Sequence, residues 1–431
     1  MNVIDGQAGL VNYSSLIFYS LTINNILNIV VLLILAGITI NLVFSENGII
    51  AKAREAAEKT NEAIINEQAE LNTLYNYMEN MLNEIGGGNT PEEPEMPEGW
   101  DPEKVDPVES EDGITVPVPK GYVASKATGE KTVEDGFVIY EGTDEVNDTN
   151  KDIAQTTRNQ FVWVPVANPS EMYGTDSTGK KWGKLYEFSS SGIIANNWTE
   201  KDGVMSITSI TSNREPDIVT KYDGSDAKYA SSFTSTIGNI TGAQFKAQLE
   251  TEFNSMIASV ERYGGFYIGR YETGNLSQAE AVVVKNNSNI GSQIWYTQYN
   301  KSKGVAANSN VTTSMIWGCQ RDAVMRWMYN SGNNDKKTYT YDSTGKGNYY
   351  DGTNREQLIA TGTVDEYAVN NIYDMAGNAY DWTIEADYTD SRVFRGGNYA
   401  DNGSSHPASD RYSNGPAASN LVYDSRVALY M

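Results

Sequence analysis

The apolar and polar positions of this 431-residue chain fall into distinct zones, and the most apolar zone lies near the N-terminal end. Residues 26–44 read ILNIVVLLILAGITINLVF, and about 20 apolar residues are enough for a helix to span a bilayer. We therefore predict a membrane-anchoring segment over residues 1–45. A buried core helix and a cleaved signal peptide are the alternatives, although no A-x-A cleavage site follows the run.

A helical pattern follows over residues 46–88, where apolar residues return every seven positions, as at Ile50, Ile64 and Leu71. Three consecutive glycines, Gly86 to Gly88, stop the pattern. The pattern predicts a helical stalk, and its partial heptad seam suggests self-association between copies.

A Pro-rich acidic segment, residues 89–112, separates this stalk from the rest of the chain and predicts an extended linker, because it cannot form a core. Beyond it, short alternating runs such as VPVPKGYVAS and NQFVWVPV predict strands. Helices are predicted from Thr241 to Val260 and from Ile316 to Met328. Residues 168–240, rich in Ser, Thr, Gly and Asp, are predicted to be an irregular insertion. The fold class is therefore α+β, with a head over residues 113–431 behind an N-terminal transmembrane and stalk helix.

Charge and residue counts exclude several kinds of function. The chain has 56 acidic against 32 basic residues, a net charge of -24, which repels nucleic acid phosphates. The single cysteine, Cys319, excludes a cysteine pair, and the single histidine, His406, excludes metal sites built from two or three imidazoles. The first basic residues, Lys52 and Arg54, follow the apolar run. The positive-inside rule would then place the head in the cytoplasm. This conflicts with the cell-surface location that we predict for the head at the end of this section.

The segment FSENGIIAKAREAAEKT, with VLLILAGITIN before it, resembles the N-terminal helix of type IV pilin-like proteins of Gram-positive bacteria. That family begins with a basic leader, a Gly-Phe-type cleavage site and a Glu, and none of these occurs before residue 26. The resemblance implies a membrane anchor and stalk, with a structural pilin-like subunit as an alternative function.

Five motifs occur in order along the head: FVWVPV, GGFYIGRYETG, IWGCQRDAVMRWM, NIYDMAGNAYDWT and RVFRGGNY. Together they resemble the formylglycine-generating-enzyme (sulfatase-modifying factor) domain, a variant of the C-type-lectin fold with small sheets, two helices and much irregular structure. The oxidase chemistry of that family requires a cysteine pair just after the RGG motif, and residues 398–412 contain no cysteine. Related non-haem iron enzymes need several histidines. We therefore expect no catalysis and no catalytic cofactor, with an oxidase of the formylglycine-generating type as the alternative.

The motif DMAGNAYDW implies a structural calcium ion, because the matching turn of the family supplies oxygen ligands to calcium. The ligands would be the side chains of Asp374 and Asp381 and the carbonyl groups of Gly377 and Ala379. A turn closed by Asp side chains that accept backbone hydrogen bonds is the alternative.

The last forty-one residues, 391–431, lack Lys, Glu, Gln and Trp, and their one Met is the terminal residue. This composition resembles the variable region of proteins diversified by diversity-generating retroelements. Randomising the first two positions of Asn codons in such systems reaches every residue type except those five. The implied fixed framework is RVFRGG, Pro407, Arg411, Pro416 and SRVALYM. The implied variable, ligand-binding positions are Tyr399, Ala400, Asp401, Asn402, Ser405, His406, Asp410, Tyr412, Ser413, Asn414, Gly415, Asn420, Leu421, Val422, Tyr423 and Asp424.

These patterns together predict a membrane-anchored, cell-surface protein whose head binds a protein or surface ligand, as in adhesion, without turnover. Rigid amphipathic tyrosines would anchor the partner, and short polar side chains would adapt to it, as in antibody paratopes. The expected anchors are Tyr399, Tyr412 and Tyr423, and the expected polar contacts are Asp401, His406, Asp410, Asn414 and Asp424. An ordinary Asn- and Ser-rich loop is the alternative for this region.

Overall fold

The structure is a computed structural model. It describes residue 52 and residues 94–431, except for 196, 202–203, 209–212, 215–229, 289–290, 351–356, 387–390 and 421. The chain divides into two units, Met1–Glu92 and Glu93–Met431, and all elements named below belong to the second.

The predicted N-terminal transmembrane and stalk helix is not supported, and the fold class is corrected to the mixed α+β unit alone. Among the residues that the structure describes, no helix is long and apolar enough to cross a membrane. The predicted anchor over residues 1–45 and all but residue 52 of the predicted stalk lie outside the described residues.

The α-helices of the second unit, in chain order, are α1 (Lys151–Thr157), α2 (Ala230–Thr236), α3 (Gly242–Tyr263), α4 (Trp295–Ser302), α5 (Gly318–Asn330) and α6 (Asn334–Tyr341). Short 3-10 helices cover Pro169–Glu171 and Asp365–Tyr367. The strands are β1 (Val105–Glu109), β2 (Thr115–Pro119), β3 (Tyr122–Ala124), β4 (Val138–Glu141), β5 (Gln160–Pro165), β6 (Tyr173–Thr175), β7 (Lys181–Gly183), β8 (Tyr186–Ser189), β9 (Gly192–Ala195), β10 (Asn197–Lys201), β11 (Val204–Thr208), β12 (Asn213–Arg214), β13 (Gly265–Gly269), β14 (Thr312–Met315), β15 (Ala368–Val369), β16 (Ile372–Tyr373), β17 (Tyr380–Ala386), β18 (Arg392–Arg395), β19 (Arg411–Asn414), β20 (Tyr423–Ser425) and β21 (Val427–Tyr430).

The two predicted helices are confirmed as α3 and α5, each within a few residues of its predicted bounds. Helix α3 begins with a capping box in which Thr241 and Gln244 each accept a hydrogen bond from the other's backbone N–H. It ends at Gly264, whose φ of 76° is the left-handed conformation that glycine adopts easily. Its predicted apolar stripe, which includes Phe245 and Phe253, is buried.

The core is organised around a six-stranded sheet with the order β14-β21-β13-β5-β4-β3. Strand β21, from the predicted framework segment SRVALYM, pairs antiparallel with both β13 and β14. Its residues Val427 to Tyr430 are at most 2% exposed. The end of the chain is therefore built into the core, and the C-terminal region is not a loose polar tail.

Short paired strands occupy parts of two segments that were predicted to lack regular structure. Strand β1 lies within the predicted linker and pairs antiparallel with β2. Between residues 168 and 240, β6 pairs with β7, β8 with β9, and β10 with β11. These strands are short and rich in polar residues, so hydrophobic alternation does not reveal them.

A second sheet, with the order β19-β18-β17-β20, carries the C-terminal region. Strand β20 is parallel to β17, and the other neighbours are antiparallel. Trp382 on β17 is paired with Phe394 on β18, which is paired with Tyr412 on β19. Tyr380 is likewise paired with Tyr423 on β20. Because paired residues point to the same side of a sheet and side chains alternate along a strand, these five aromatic residues share one side.

Candidate functional site

The aromatic side of the second sheet ends in partly exposed rings. The ring centroids of Tyr380 and Phe394 are 4.3 Å apart, and those of Phe394 and Tyr423 are 5.0 Å apart. Tyr412 lies 5.7 Å from Phe394 and is 61% exposed. Asn414 Nδ2 donates a hydrogen bond of 2.9 Å to the Tyr423 hydroxyl. The buried Phe394 thus supports tyrosines that are partly or largely exposed to solvent.

Polar residues from the loop between β18 and β19 border these rings. His406 Nδ1 lies 2.8 Å from Asp410 Oδ2, and the Tyr380 hydroxyl donates to Asp401 Oδ2 at 2.5 Å. The hydrogen bond to Asp410 raises the pKa of His406, an effect that burial partly opposes. We call the surface formed by Tyr380, Tyr412, Tyr423, Asn414 and these loop residues, Asp401, His406 and Asp410, the display face.

Most of the predicted variable positions lie at or near the surface. The exposed ones are Asn402, Ser405, Tyr412, Asn414 and Asn420. The partly exposed ones are Tyr399, Ala400, Asp401, His406, Asp410, Ser413, Gly415, Val422 and Tyr423. Leu421 lies outside the described residues. Most of the predicted framework shows the opposite pattern, because Arg392 to Gly397, Pro416 and Ser425 to Tyr430 are buried. Pro407, Arg411 and Met431 are the partly exposed framework residues.

Asp424 is the exception, and its predicted role as a polar contact is corrected. It is 0% exposed, and its Oδ1 accepts a hydrogen bond from the backbone N–H of Ser425. Its position on β20 is paired with Asp381 of β17, so its side chain points to the inner side of the sheet. Burial raises the pKa of Asp424 well above the ordinary range, and the charge of Asp381 adds to this. A buried side chain cannot contact a partner.

A buried charge network lies beneath the display face, on the inner side of the sheet. Arg395 Nη2 lies 2.6 Å from Asp322 Oδ1, and Arg395 Nη1 lies 3.2 Å from Glu385 Oε2. Arg411 Nε lies 3.0 Å from Glu385 Oε1, and Arg411 also pairs with Asp322. Two guanidinium groups thus match two carboxylates and tie β17, β18 and β19 to helix α5. Such pairs fix geometry, because breaking one leaves an uncompensated buried charge.

The two predicted aspartate ligands have other partners. Asp374 Oδ2 accepts hydrogen bonds from the Thr361 hydroxyl at 2.9 Å and from the Gly362 N–H at 2.8 Å, so it ties the motif to a distant segment and does not close a local turn. Gly377 donates its N–H to a backbone carbonyl of the RGG motif, and Ala379 donates its N–H to Glu272; these bonds do not involve the carbonyl groups that were predicted to bind calcium.

The contacts of Asp381 bear most directly on whether a calcium ion fits the predicted site. Its Oδ2 lies 3.0 Å from Arg321 Nη1 and 3.3 Å from Arg426 Nε. The Oδ1 atoms of Asp374 and Asp381 are buried without a hydrogen-bond partner in the described part of the chain, as a cation site would require. The two guanidinium groups nevertheless repel a divalent cation at Asp381. The guanidinium groups of Arg321 and Arg426 therefore compete with a cation for Asp381, and calcium binding remains an untested prediction.

Two tyrosines were not among the predicted contact residues: Tyr380, which belongs to the display face, and Tyr350, which lies next to it. Tyr380 lies in the motif DMAGNAYDW, so the motif itself was a usable signal. Tyr350 is 39% exposed, and its backbone N–H donates to the Asp401 carbonyl at 2.8 Å. It is about 50 residues away in sequence from the C-terminal region, and nothing in its surroundings marks it.

No family model matches the chain, and no curated protein matches it. The crystal structure of CarF is similar over 39% of this chain and 87% of its own, with 10% sequence identity and a TM-score of 0.30. PvdO from Pseudomonas aeruginosa is similar over 39% of this chain and 82% of its own, with 13% identity and a TM-score of 0.26. Treponema denticola variable protein 1 is similar over 39% of this chain and 85% of its own, with 11% identity and a TM-score of 0.27. One of these three proteins is a variable protein, the class that the C-terminal region was predicted to resemble. At TM-scores of 0.30 and below, these likenesses say nothing about function.

Proposed function

We propose that this chain is a ligand-binding protein that recognises a partner through the display face, without turnover. The observation that carries the proposal is the separation of two sets of residues within one segment. Most side chains of the predicted framework are buried, whereas nearly all described side chains of the predicted variable set reach the surface. Residues on a surface of this kind can change without loss of the core.

The chemistry of the display face suits recognition. Tyr412 and Tyr423 offer rigid aromatic area at a small entropic cost, because a tyrosine has few rotatable bonds. Asn414, together with the exposed Asn402 and Ser405 of the loop between β18 and β19, offers donors and acceptors that adapt to different partners. Phe394 and the buried charge network hold the backbone beneath them, which lowers the cost of ordering on binding.

The partner class that we propose is a protein or another surface-borne ligand, because tyrosine anchors with polar neighbours are typical of protein recognition. Catalysis forms no part of the proposal. The chain lacks the cysteine pair and the histidines that the resembled enzymes use.

The experiment compares a face variant, carrying Tyr412→Ala and Asn414→Ala, with a matched control, carrying Thr251→Ala and Asn254→Ala. The control residues are exposed on helix α3, outside the display face. Immobilised full-length wild type captures proteins from an extract of the source cells, and a captured partner is purified for titration calorimetry. We expect the control to bind like wild type and the face variant to bind at least about 30-fold more weakly, the effect of losing about 2 kcal/mol. A partner that binds the face variant as tightly as wild type refutes the proposal.

A further inference from the structure

A cavity of about 270 Å³ lies on the outer side of helix α5, away from the residues of the display face. One side of α5 forms its wall, because Cys319, Ala323, Trp327 and Asn330 follow each other at helical spacing. The opposite wall comes from the end of β5 and the segment that follows it, including Met172. The cavity opens to solvent, because its lining includes the exposed residues Glu171 and Asn330, so a small molecule can reach it.

The charged groups at this cavity are already paired with each other. Arg326 Nη2 lies 2.5 Å from Glu171 Oε2, and the guanidinium group of Arg326 stacks 4.5 Å from the Tyr186 ring centroid. The Tyr186 hydroxyl donates to the Glu171 carbonyl at 2.7 Å. A charged ligand would have to displace these contacts, whereas an uncharged ligand would leave them intact.

The remaining lining is apolar and includes Val166, Met172, Ala323 and Trp327. An apolar cavity of about 150 Å³ in another protein accepts benzene. The larger volume here has room for one or two fused rings. Met and Trp offer a polarisable and a flat surface, both of which favour contact with an aromatic ring.

We propose that this cavity, which we call the α5 pocket, binds a small uncharged aromatic molecule of one or two rings. The α5 pocket is a second site, and it does not depend on the proposed function of the display face. Bound ligand lies against Trp327 and Met172, with the Arg326–Glu171 pair at the edge of the pocket.

Cys319 provides a direct readout of occupancy. It lies in the wall of the α5 pocket, is 1% exposed, and is the one cysteine of the sequence. A small methanethiosulfonate reagent that labels the full-length chain therefore reports on this position alone. If labelling requires an empty pocket, ligand at ten times its Kd slows it about elevenfold.

The test uses indole as the probe and indole-3-carboxylate as its charged partner. Saturable binding is measured by titration calorimetry, and Cys319 labelling is followed by mass spectrometry. We expect indole to bind and to slow labelling, and indole-3-carboxylate to bind at least about fivefold more weakly, because Arg326, the cationic group of the lining, is already paired with Glu171. Absence of saturable indole binding to wild type overturns the site, and equal or tighter binding of the carboxylate overturns the ligand class.

Two variants test whether indole binds in the α5 pocket. Ala323→Phe fills it from α5, and Ala258→Phe adds the same ring to the exposed side of α3. We expect Ala323→Phe to lose indole binding and the effect of indole on labelling, and Ala258→Phe to retain both. If Ala323→Phe fails to fold, Trp327→Ala serves instead, with an expected loss in indole affinity of at least about tenfold. Wild-type affinity in a folded pocket variant places the indole elsewhere and refutes the proposal.

Discussion

Removing Arg395 tests the claim that a buried charge network holds the display face in place. Arg395 contacts Asp322 at 2.6 Å and Glu385 at 3.2 Å, and all three side chains are at most 1% exposed. In Arg395→Met, Arg411 remains as the guanidinium group that faces both carboxylates. Loss of one partner of a buried pair costs about 3–5 kcal/mol, because it leaves a charge uncompensated away from water. A typical domain has about 5–15 kcal/mol of stability in total, so this is a large fraction.

The assay is urea unfolding of the full-length chain, followed by tryptophan fluorescence. With a slope of about 3 kcal/mol per molar urea, the loss lowers the midpoint by about 1–2 M. Tyr412→Ala is the matched control from the neighbouring strand. Because Tyr412 is 61% exposed, we expect its unfolding free energy to change by about 0.5 kcal/mol or less.

A double-mutant cycle separates charge balance from lost packing. Glu385→Gln alone leaves two guanidinium groups facing Asp322, whereas the double variant Arg395→Met, Glu385→Gln leaves Arg411 matched with Asp322. We therefore expect the double variant to be less destabilised than the sum of the single variants, by about 1–3 kcal/mol. Additive losses, or a loss below about 1 kcal/mol for Arg395→Met, would refute the reasoning.

Three further predictions concern pH, calcium and catalysis. The pKa of His406 is raised in the folded state by its hydrogen bond to Asp410. The difference in unfolding free energy between wild type and His406→Gln should therefore be largest below the unfolded pKa of His406, about 6.5, and disappear as pH rises through its folded pKa. A difference that grows with pH contradicts this. Millimolar calcium should leave the melting temperature unchanged, because Asp381 is already paired with Arg321 and Arg426. A rise of more than about 2 °C would favour the calcium prediction. Incubation with copper and a cysteine-containing sulfatase peptide should leave the peptide mass unchanged, and any conversion to formylglycine would overturn the proposal of binding without turnover.

Short-range sequence patterns were sufficient to predict those elements that depend on them, such as helix α3. The capping box at Thr241 and the apolar stripe of α3 are both short-range patterns, and the helix lies where they indicate. The framework motifs RVFRGG and SRVALYM are buried except for the partly exposed Met431. The resemblance to retroelement-diversified proteins, which rests on residue composition, separated most of the surface positions of the C-terminal region from this framework.

Long-range pairing could not be read from the sequence. Asp424 has the same residue type as exposed neighbours, but parallel pairing with β17 turns its side chain inward. Tyr350 reaches the display face through one backbone hydrogen bond to Asp401, across about 50 residues of chain. The charges of Arg395 and Asp322 also gave no sign that they would meet in the core, since buried ion pairs depend on the fold and not on local sequence.

The prediction of a transmembrane and stalk helix shows a different limit. It relied on hydropathy and heptad spacing in residues 26–88, and the described part of the chain contains no helix suited to crossing a membrane. The binding proposal does not depend on that segment, because every residue that carries it lies in the unit Glu93–Met431.

The tolerance of the C-terminal region to substitution tests the central claim most directly. One library of full-length chains randomises Asn402, Ser405, Tyr412, Asn414 and Asn420, and a second randomises Val393, Phe394, Arg395, Ala428 and Leu429. Resistance to a protease pulse measures the folded fraction of each library. The account predicts that most members of the first library resist proteolysis like wild type and that few members of the second do. Equal folded fractions in the two libraries would contradict the separation of a changeable binding surface from a fixed scaffold.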